Sequence, residues 1–372
     1  MKKKIICVLL SAVFAAVGFG CSGGDVKVSF DEKMPWDVQE TCTYDVKKIY
    51  VGGKEETVVA TGKYVTELTT TGEESSIVNT FELKYTDSDK AESVDETGRI
   101  VKNKGLTDTY VGKAKFYRNT LVPVSAEKTF NLAQRPLCDG EAPKKNESSD
   151  ENVNYTLTLP ANPKYADPRG YSYTVDYKEN KAVLSTDSGE TSANGDGTYT
   201  RAYKKVNKNI SVESTTRFDN EQLNYVVRAL SNVKKKGSAT FYLSNIFDSY
   251  IRGEYVRYTM SMSCAEKNVS VTPNLSPEKF LLTDSEGALD PTDGKYSVQC
   301  VQASVGISSS TPGPAISMLI TDPSITVRQR SNNAETKKLI LEMTYTEYSP
   351  ISVNVSYKTI YTLTDYTTEK LN

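Results

Sequence analysis

The chain has 372 residues, of which 38% are hydrophobic and 25% charged, so it is long enough for one large domain or two ordinary ones with a buried core. It contains no histidine, which excludes Ser-His-Asp and Cys-His catalysis and removes the commonest zinc ligand. The formal charge of −2 becomes −5 without residues 1–20, which hold three of the 45 basic residues and none of the 47 acids, so nucleic acid is not an expected partner.

The chain begins with the pattern of an export signal. Lysines at positions 2–4 precede an apolar run, 5–18, that is too short to span a bilayer comfortably. A glycine stands directly before Cys21, and small flexible residues follow it. This arrangement resembles a bacterial lipoprotein signal, in which the cysteine becomes the lipid-bearing N-terminus after cleavage. The resemblance implies removal of residues 1–20, lipidation of Cys21 and a tether over 21–35.

Two positions depart from that signal. Gly18 and Phe19 stand where lipoprotein signals usually carry leucine and a small residue. The alternative is an ordinary secretory signal in which Cys21 has no role. We favour the lipoprotein interpretation. It predicts a protein of the bacterial cell envelope, anchored to a membrane by lipid on Cys21 and facing the extracytoplasmic side.

Four further cysteines remain in the mature chain. An even number in an exported protein permits two disulfides, with three possible pairings. We expect the pairing that keeps each bridge closest in sequence, Cys42 with Cys138 and Cys264 with Cys300. Buried free thiols are the alternative. The CxxC spacing of metal and redox sites does not occur, and neither a metal nor a cofactor is expected.

Apolar and polar residues alternate through most of the chain, which is the pattern of half-buried strands. Tyrosine, with 24 copies, favours such pleated surfaces. The predicted strands cover residues 41–50, 58–68, 77–85, 110–118, 121–130, 155–159, 171–177, 199–212, 239–243, 256–264, 296–307, 315–320, 324–330, 338–345 and 351–363. Residues 87–104 are predicted to be a polar loop, and 135–170, with five prolines, a long surface excursion around one short strand.

One stretch predicts a helix, at about 219–233. Asp219 can cap it, and Gln222 completes a pattern close to a capping box. An apolar stripe follows at helical spacing, formed by Leu223, Val226, Val227 and Leu230. Three lysines at 234–236 suit the negative end of the helix dipole, and a glycine then ends the pattern. One amphipathic helix among many strands must bury its stripe against a sheet.

These elements predict a mainly β fold, in which a curved antiparallel sheet, or half-barrel, is covered by the one helix. This interpretation gives a single β-rich domain over 36–372, with 135–170 as an inserted loop region. The alternative is two β-sandwich-like domains, which would divide the chain into 36–135 and 171–372.

Two segments are similar to a known class of proteins. One is the strand from Glu40 to Val46, and the other runs from Phe218 to Arg228, FDNEQLNYVVR, where an aspartate-started helix carries a Tyr-x-x-Arg pattern. In this order they resemble the half-barrel carriers and receptors of bacterial lipoprotein transport and related uncharacterised exported domains. The resemblance covers residues 36–366. It implies a curved sheet around part of an apolar cavity, with helix over the open side, and it implies no active-site residues.

Three side chains are candidate ligand-binding residues. Arg228 lies beside the apolar stripe and could meet an anionic headgroup at the mouth of such a cavity, although a helix arginine is more often solvated or salt-bridged. Met260 and Met262 could line an adaptable apolar pocket, although core packing is the more common use of methionine.

Tyrosines also recur on strand faces. They could stack against sugars, or they could hold the sheet together through cross-strand pairs, which is the more common role. The two rows are Tyr171, Tyr173 and Tyr177, and Tyr357 and Tyr361.

The functional expectation is a non-enzymatic envelope lipoprotein that binds an apolar or amphipathic ligand in a half-barrel cavity. The alternative is a β scaffold that presents its surface to glycan or to another envelope protein. A carboxylate glycosidase is not excluded, because Asp and Glu are plentiful, but it needs two carboxyl groups about 5–9.5 Å apart in a cleft.

Overall fold

A computed structural model describes residues 38–94, 100–131, 144–146, 154–159, 170–196, 199–212, 218–229, 239–244, 257–271, 275–308, 312–348 and 355–371. Within these residues the chain is mainly β with one short helix, as the sequence predicts. The strands are β1 (Val38–Gly52), β2 (Glu55–Thr71), β3 (Glu74–Tyr85), β4 (Glu92–Val94), β5 (Ile100–Lys102), β6 (Thr107–Tyr117), β7 (Pro123–Asn131), β8 (Lys144–Asn146), β9 (Asn154–Leu159), β10 (Gly170–Asp176), β11 (Lys181–Ala193), β12 (Tyr199–Ser211), β13 (Phe218–Asp219), β14 (Ala239–Ser244), β15 (Arg257–Ser270), β16 (Phe280–Thr283), β17 (Ser297–Ser308), β18 (Pro312–Thr321), β19 (Thr326–Gln329), β20 (Glu335–Lys337), β21 (Ile340–Tyr348) and β22 (Val355–Lys370).

Seventeen strands form one curved sheet. From edge to edge the order is β13, β14, β15, β17, β18, β21, β22, β1, β2, β3, β6, β7, β10, β11, β12, β9 and β8. Neighbours are antiparallel except β13 and β14. Within the described residues the sheet is not closed into a barrel. Two small sheets accompany it, one of β16, β19 and β20 and one of β4 and β5.

The alternation that predicts the strands also decides which face of the sheet is buried. Alternate residues of β1, β2 and β3 are buried, among them Cys42, Thr66 and Asn79. Cys42 opposes Thr66 and Thr66 opposes Asn79 in the register of these strands. Because directly opposite residues share a face, these three side chains lie on the same side of the sheet. We call this side the inner face.

The helical segment begins with the predicted capping box. The Asp219 side chain accepts a hydrogen bond from the Glu221 N–H at 2.9 Å, and Gln222 Oε1 accepts one from the Asp219 N–H at 2.9 Å. Asn220–Gln222 then form a 3-10 turn, and helix α1 covers Leu223–Ala229. The C-terminal turn predicted for this helix lies outside the described residues.

The helical segment crosses the strands rather than following them. Asp219 contacts Lys128 of β7, and Arg228 contacts Glu40 of β1. With β6, β3 and β2 between, these strands are four spacings of about 4.8 Å apart, or roughly 19 Å. Nine residue steps at about 1.5–2.0 Å each span roughly 14–18 Å. The segment therefore spans most of the distance from β7 to β1 across the inner face, and the side-chain contacts at its two ends cover the rest.

The hydrophobic core surrounds this segment. Val226, Val227 and Ala229 are fully buried, in one cluster with side chains of β1, β2, β3, β17, β18, β21 and the small β16–β19–β20 sheet. Leu223 and Asn224 are half-buried. The sequence predicts a single apolar stripe, but α1 is enclosed on more sides than that because the sheet curves around it.

The predicted disulfides are wrong. Cys42 and Cys300 are buried free thiols. In the register of β15 with β17, Cys264 opposes Ala303, three positions along the strand from Cys300, which is too far for a bridge. Cys138 and the side chain of Cys264 lie outside the described part of the chain. Proximity in sequence was a poor guide here, because strand register decides which positions meet.

We expect both described thiols to be unreactive in the folded protein. Burial raises the pKa of Cys42, with the Glu40 carboxylate adding to the effect, and burial raises the pKa of Cys300 to about 12. Because the thiolate is the reactive form, a disulfide reagent at about pH 8 should label neither cysteine until urea unfolds the chain. Peptide mapping that finds either one labelled in the folded protein would contradict this.

Since an unfolded thiol ionises near pH ~8.5, these groups also make the free energy of unfolding fall as the pH rises above that value.

Two regions predicted to be irregular contain strands. β4 and β5 form a hairpin inside the predicted 87–104 loop. β8 and β9 lie within 135–170, where the predicted short strand is confirmed as β9, and they extend one edge of the main sheet through β12. The choice between one and two domains stays a prediction. In the ranges that the structure describes, no helix is long and apolar enough to cross a membrane.

Candidate functional site

A buried cation holds the N-terminal end of the helical segment. Lys128 Nζ lies 2.8 Å from Asp219 Oδ1 and 3.3 Å from Glu221 Oε1, and all three side chains are buried. Tyr110 donates a hydrogen bond to Glu221, and Tyr177 donates one to Asp219. Burial alone would lower the pKa of Lys128, but the two carboxylates raise it above its ordinary value. The lysine therefore stays charged inside the protein.

A second buried ion pair holds the C-terminal end. Arg228 donates from Nη1 to Glu40 Oε1 and from Nη2 to Glu40 Oε2, the latter at 3.2 Å. Nη2 also donates to Thr336 Oγ1 at 3.0 Å, and the Tyr366 hydroxyl donates to Glu40 Oε2 at 3.4 Å. Burial alone would lower the pKa of Arg228, but Glu40 raises it. Arg228, which the sequence suggested as a contact for an anionic headgroup, is thus paired with a carboxylate of the protein itself.

The sheet row beneath the segment is shaped to receive it. Asn79, Gly112 and Lys128 are aligned in register on β3, β6 and β7. Asn79 Nδ2 donates to Glu221 Oε2 at 2.8 Å and to the Glu221 carbonyl oxygen at 3.1 Å. A Cβ on Gly112 would lie 2.3 Å from Glu221 Oε2, so the missing side chain makes room for this carboxylate. This row fixes the helical segment onto the sheet.

Next to the segment, the inner face carries a group of half-buried aromatic side chains. We call Tyr50, Tyr64, Phe81, Tyr357 and Tyr361 the inner aromatic patch. All five pack against one buried cluster of the sheet and remain partly exposed. Tyr64 opposes Phe81 across β2 and β3, and Tyr50 opposes Tyr357 across β1 and β22 with ring centroids 5.8 Å apart.

The patch begins at α1 and runs outward along the strands. Asn224 of α1 donates to the Tyr64 hydroxyl at 3.4 Å. The Tyr361 ring centroid lies 5.6 Å from that of Tyr64 and 6.2 Å from that of Phe81. These edge-on and tilted contacts are the favoured geometry of aromatic pairs, so these three rings form a connected surface.

The structure places the two tyrosine rows found in the sequence in different environments. Tyr173 is buried and Tyr177 bonds to the helical segment, so these two serve the fold. Tyr357 and Tyr361 belong to the inner aromatic patch. The side chain of Tyr171 lies outside the described part of the structure.

Met260 and Met262 lie in β15. The strand pairings through β17, β18 and β21 place Met262 in the same row across the sheet as Thr359 of β22. Thr359 stands between the two patch tyrosines of that strand. The methionine side chains are outside the description, and so is Cys21. Their predicted roles in ligand binding and lipidation stay predictions.

Three members of the patch were not candidates from the sequence: Tyr50, Tyr64 and Phe81. Each belongs to a strand whose alternation is visible in the sequence, and that alternation was the available signal. Their meeting depends on strand register, which a single sequence does not show.

In the described part of the chain, no metal site accompanies these groups. Among the residues that the structure describes, no three His, Cys, Asp or Glu side chains are placed to hold an ion together. The candidate site therefore consists of the partly exposed inner aromatic patch and the two buried ion pairs that hold the helical segment beside it.

Comparison with known proteins gives a coarse likeness. No protein-family model and no curated protein matches the chain. Among solved structures, a β-barrel-like protein of a domain of unknown function from Brucella abortus is similar at 12% identity and a TM-score of 0.37, over 89% of this chain and 98% of that one. The outer membrane protein opdK from Pseudomonas aeruginosa matches at 9% identity and a TM-score of 0.18, over 89% and 99%. The chain is thus similar to a β-barrel-like domain of unknown function, and neither likeness brings a ligand or an activity with it.

Proposed function

We propose that the protein is an exported, lipid-anchored protein of the bacterial cell envelope that binds an apolar or amphipathic ligand against the inner aromatic patch. It has no enzymatic role in this proposal. The membrane contact is the lipid on Cys21, and the ligand-binding surface is the part of the inner face that the helical segment leaves uncovered.

The exposure of the patch carries the proposal. Tyrosines that only hold this fold together are almost fully buried, as Tyr44, Tyr225 and Tyr366 are at 1–2% exposure. The patch side chains lie on the same inner face, yet they remain half-buried. Connected aromatic surface left partly in water favours an apolar partner, because covering it releases that water.

Arg228 has a different role in this proposal from the one its sequence position indicates. Its guanidinium is buried against Glu40, so it positions α1 beside the patch rather than meeting a headgroup.

The test is native mass spectrometry of the chain from Ser22 to Asn372, purified without detergent. We expect a reproducible added mass that extracts into organic solvent. Tyr361→Ser and Phe81→Ser should each lower the bound fraction roughly tenfold, as loss of a central aromatic contact does. Tyr117→Ser is the matched control, because Tyr117 is half-buried and follows the inner-face residue Phe116, which places it on the other side of the sheet.

A bare protein mass with an intact fold would contradict the proposal, and so would an equal loss in the Tyr117→Ser control. The membrane-bound form should have the mass of a chain that starts at Cys21 and carries covalent acyl groups. A secreted form without that mass would support an ordinary signal instead.

Glycan binding is the second candidate. Half-exposed tyrosine rings are also the surface against which sugars stack, and the patch contains four of them. A glycan array separates the two functions: retention of defined sugars, lost in Tyr361→Ser and kept in Tyr117→Ser, would favour this alternative.

A further inference from the structure

Asn224 lies where α1 meets the inner aromatic patch. Its side chain is half-buried, and its Nδ2 donates to the Tyr64 hydroxyl at 3.4 Å. This distance exceeds the about 2.7–3.2 Å of a well-formed N–H···O hydrogen bond. An amide has two N–H donors and a carbonyl acceptor, so one long bond uses only part of what the side chain can do.

The neighbouring amides of the helical segment serve the fold instead. Gln222 is fully buried, and its Nε2 donates to the Leu121 carbonyl oxygen at 2.8 Å. Asn220 Oδ1 accepts a hydrogen bond from the buried Lys128. Asn224 differs from both, because its partner is a hydroxyl of the patch and the surface around it is partly exposed. It is therefore the amide that the segment presents to a ligand.

The patch extends away from this polar end. Tyr64 opposes Tyr44 of β1, and at the far end of the patch Tyr357 opposes Tyr50 of the same strand. The six residue steps from Tyr44 to Tyr50 cover roughly 20 Å at about 3.4 Å each. An apolar chain that lies along these rings therefore has one end at α1 and the other well beyond it.

The surroundings of Tyr64 disfavour an anion at the α1 end. Burial raises the pKa of the Tyr64 hydroxyl, and the Glu221 carboxylate adds to this effect. A ligand carboxylate beside this hydroxyl would meet the same two penalties. The hydroxyl itself stays protonated, so it can donate to a ligand oxygen while it accepts from Asn224.

A ligand cation is not favoured there either. Glu221 already has Lys128 Nζ at 3.3 Å, and it accepts hydrogen bonds from Asn79 at 2.8 Å and from Tyr110. Its charge is thus matched inside the protein, and what α1 offers next to the patch is a neutral amide and a neutral hydroxyl.

We infer that the ligand of the inner aromatic patch ends in an uncharged oxygen group, a hydroxyl or a carbonyl, which is held between Asn224 and Tyr64. The apolar chain of the ligand runs from there past Tyr361 toward the Tyr50–Tyr357 pair. This inference rests on the proposed function, and it adds the chemical class of the polar end and the orientation of the ligand.

The test compares octanol, octanoate and octyltrimethylammonium on the protein freed of bound lipid. Isothermal titration calorimetry at about pH 8, where octanoate is ionised, measures the three affinities. We expect octanol to bind about tenfold more tightly than either charged probe, because it alone bonds to both side chains without bringing a charge to α1.

Two variants examine the polar pair itself. Tyr64→Phe keeps the ring and removes the hydroxyl, and Asn224→Leu keeps the size of the side chain and removes the amide. Each should weaken octanol about fivefold and so narrow its advantage over octanoate. Asn207→Leu is the matched control, because Asn207 is an exposed asparagine of β12 outside the patch.

The outcomes separate this inference from the proposed function. If octanol binds and either charged probe binds as tightly, the uncharged polar end is wrong while an apolar site remains. The same holds if Tyr64→Phe and Asn224→Leu both keep the full preference for octanol, or if Asn207→Leu reduces it equally. If none of the three probes binds, the proposed function itself fails. The comparison of probes on the unmodified protein decides the matter even where a variant does not fold.

Discussion

Replacing Arg228 by Met is expected to lower the free energy of unfolding by about 3–5 kcal/mol, because Glu40 would then stay buried without its cation. Both partners are almost completely enclosed, and the pair joins residues 188 positions apart in the chain. Urea unfolding, followed by circular dichroism, measures the loss. Arg328→Met is the matched control, since Arg328 pairs with Glu335 at 41% and 46% exposure and should cost no more than about 1 kcal/mol.

A double variant distinguishes the net contribution of the ion pair from the cost of leaving one buried charge without its partner. Glu40→Leu combined with Arg228→Met removes both charges, so its destabilisation should be smaller than the sum of the two single changes. Equal losses in Arg228→Met and Arg328→Met would mean that the Arg228–Glu40 contact is solvated in solution, which contradicts the enclosed geometry.

Replacing Lys128 by Met is expected to cost a similar amount, about 3–5 kcal/mol, for a different reason. Two carboxylates, Asp219 and Glu221, would remain close together and buried with no cation between them. Adding Glu221→Gln should recover part of the loss, because it removes one of the two negative charges. Lys181→Met is the control, since Lys181 and Glu179 form a pair at 73% and 67% exposure.

The Lys128 contribution also has a predicted pH dependence. The folded-state pKa of Lys128 lies above its ordinary value, so the stability it provides is fully present below the unfolded pKa of about 10.4. That stability is lost as the pH rises toward the folded pKa. The difference in unfolding free energy between the native chain and Lys128→Met should therefore narrow above about pH 10.4, and a constant difference would contradict the buried ion pair.

Local pattern predicts the elements of this fold well. Alternation identifies most of the long strands, although β11 was not among the predicted ones, and Asp219 with Gln222 marks the start of the helical segment through a capping box that the structure confirms. These features depend on residues within a few positions of one another, so one sequence contains the whole signal.

Long-range pairing is what the sequence could not supply. Arg228 has the spacing of a surface residue beside an apolar stripe, and only the curvature of the sheet brings Glu40 to it. Likewise, the sequence places Tyr361 on one face of a strand with other tyrosines. Its contacts with Tyr64 and Phe81 depend on the strand order β22, β1, β2, β3, which the sequence does not reveal. The disulfide prediction failed for the same reason, since register rather than sequence distance decides which strand positions face each other.

The position of β1 has a consequence for how the chain folds. This strand, the first that the structure describes, pairs on one side with β2 and on the other with β22, the last. Its second edge therefore stays open until residues more than 300 positions away have been made. Such distant pairing makes folding slow, since the entropy of closing a long loop is lost before any contact compensates it. Under the export that we propose for this chain, the order of strands has a further effect: the sheet cannot be completed before the final strand has crossed the membrane.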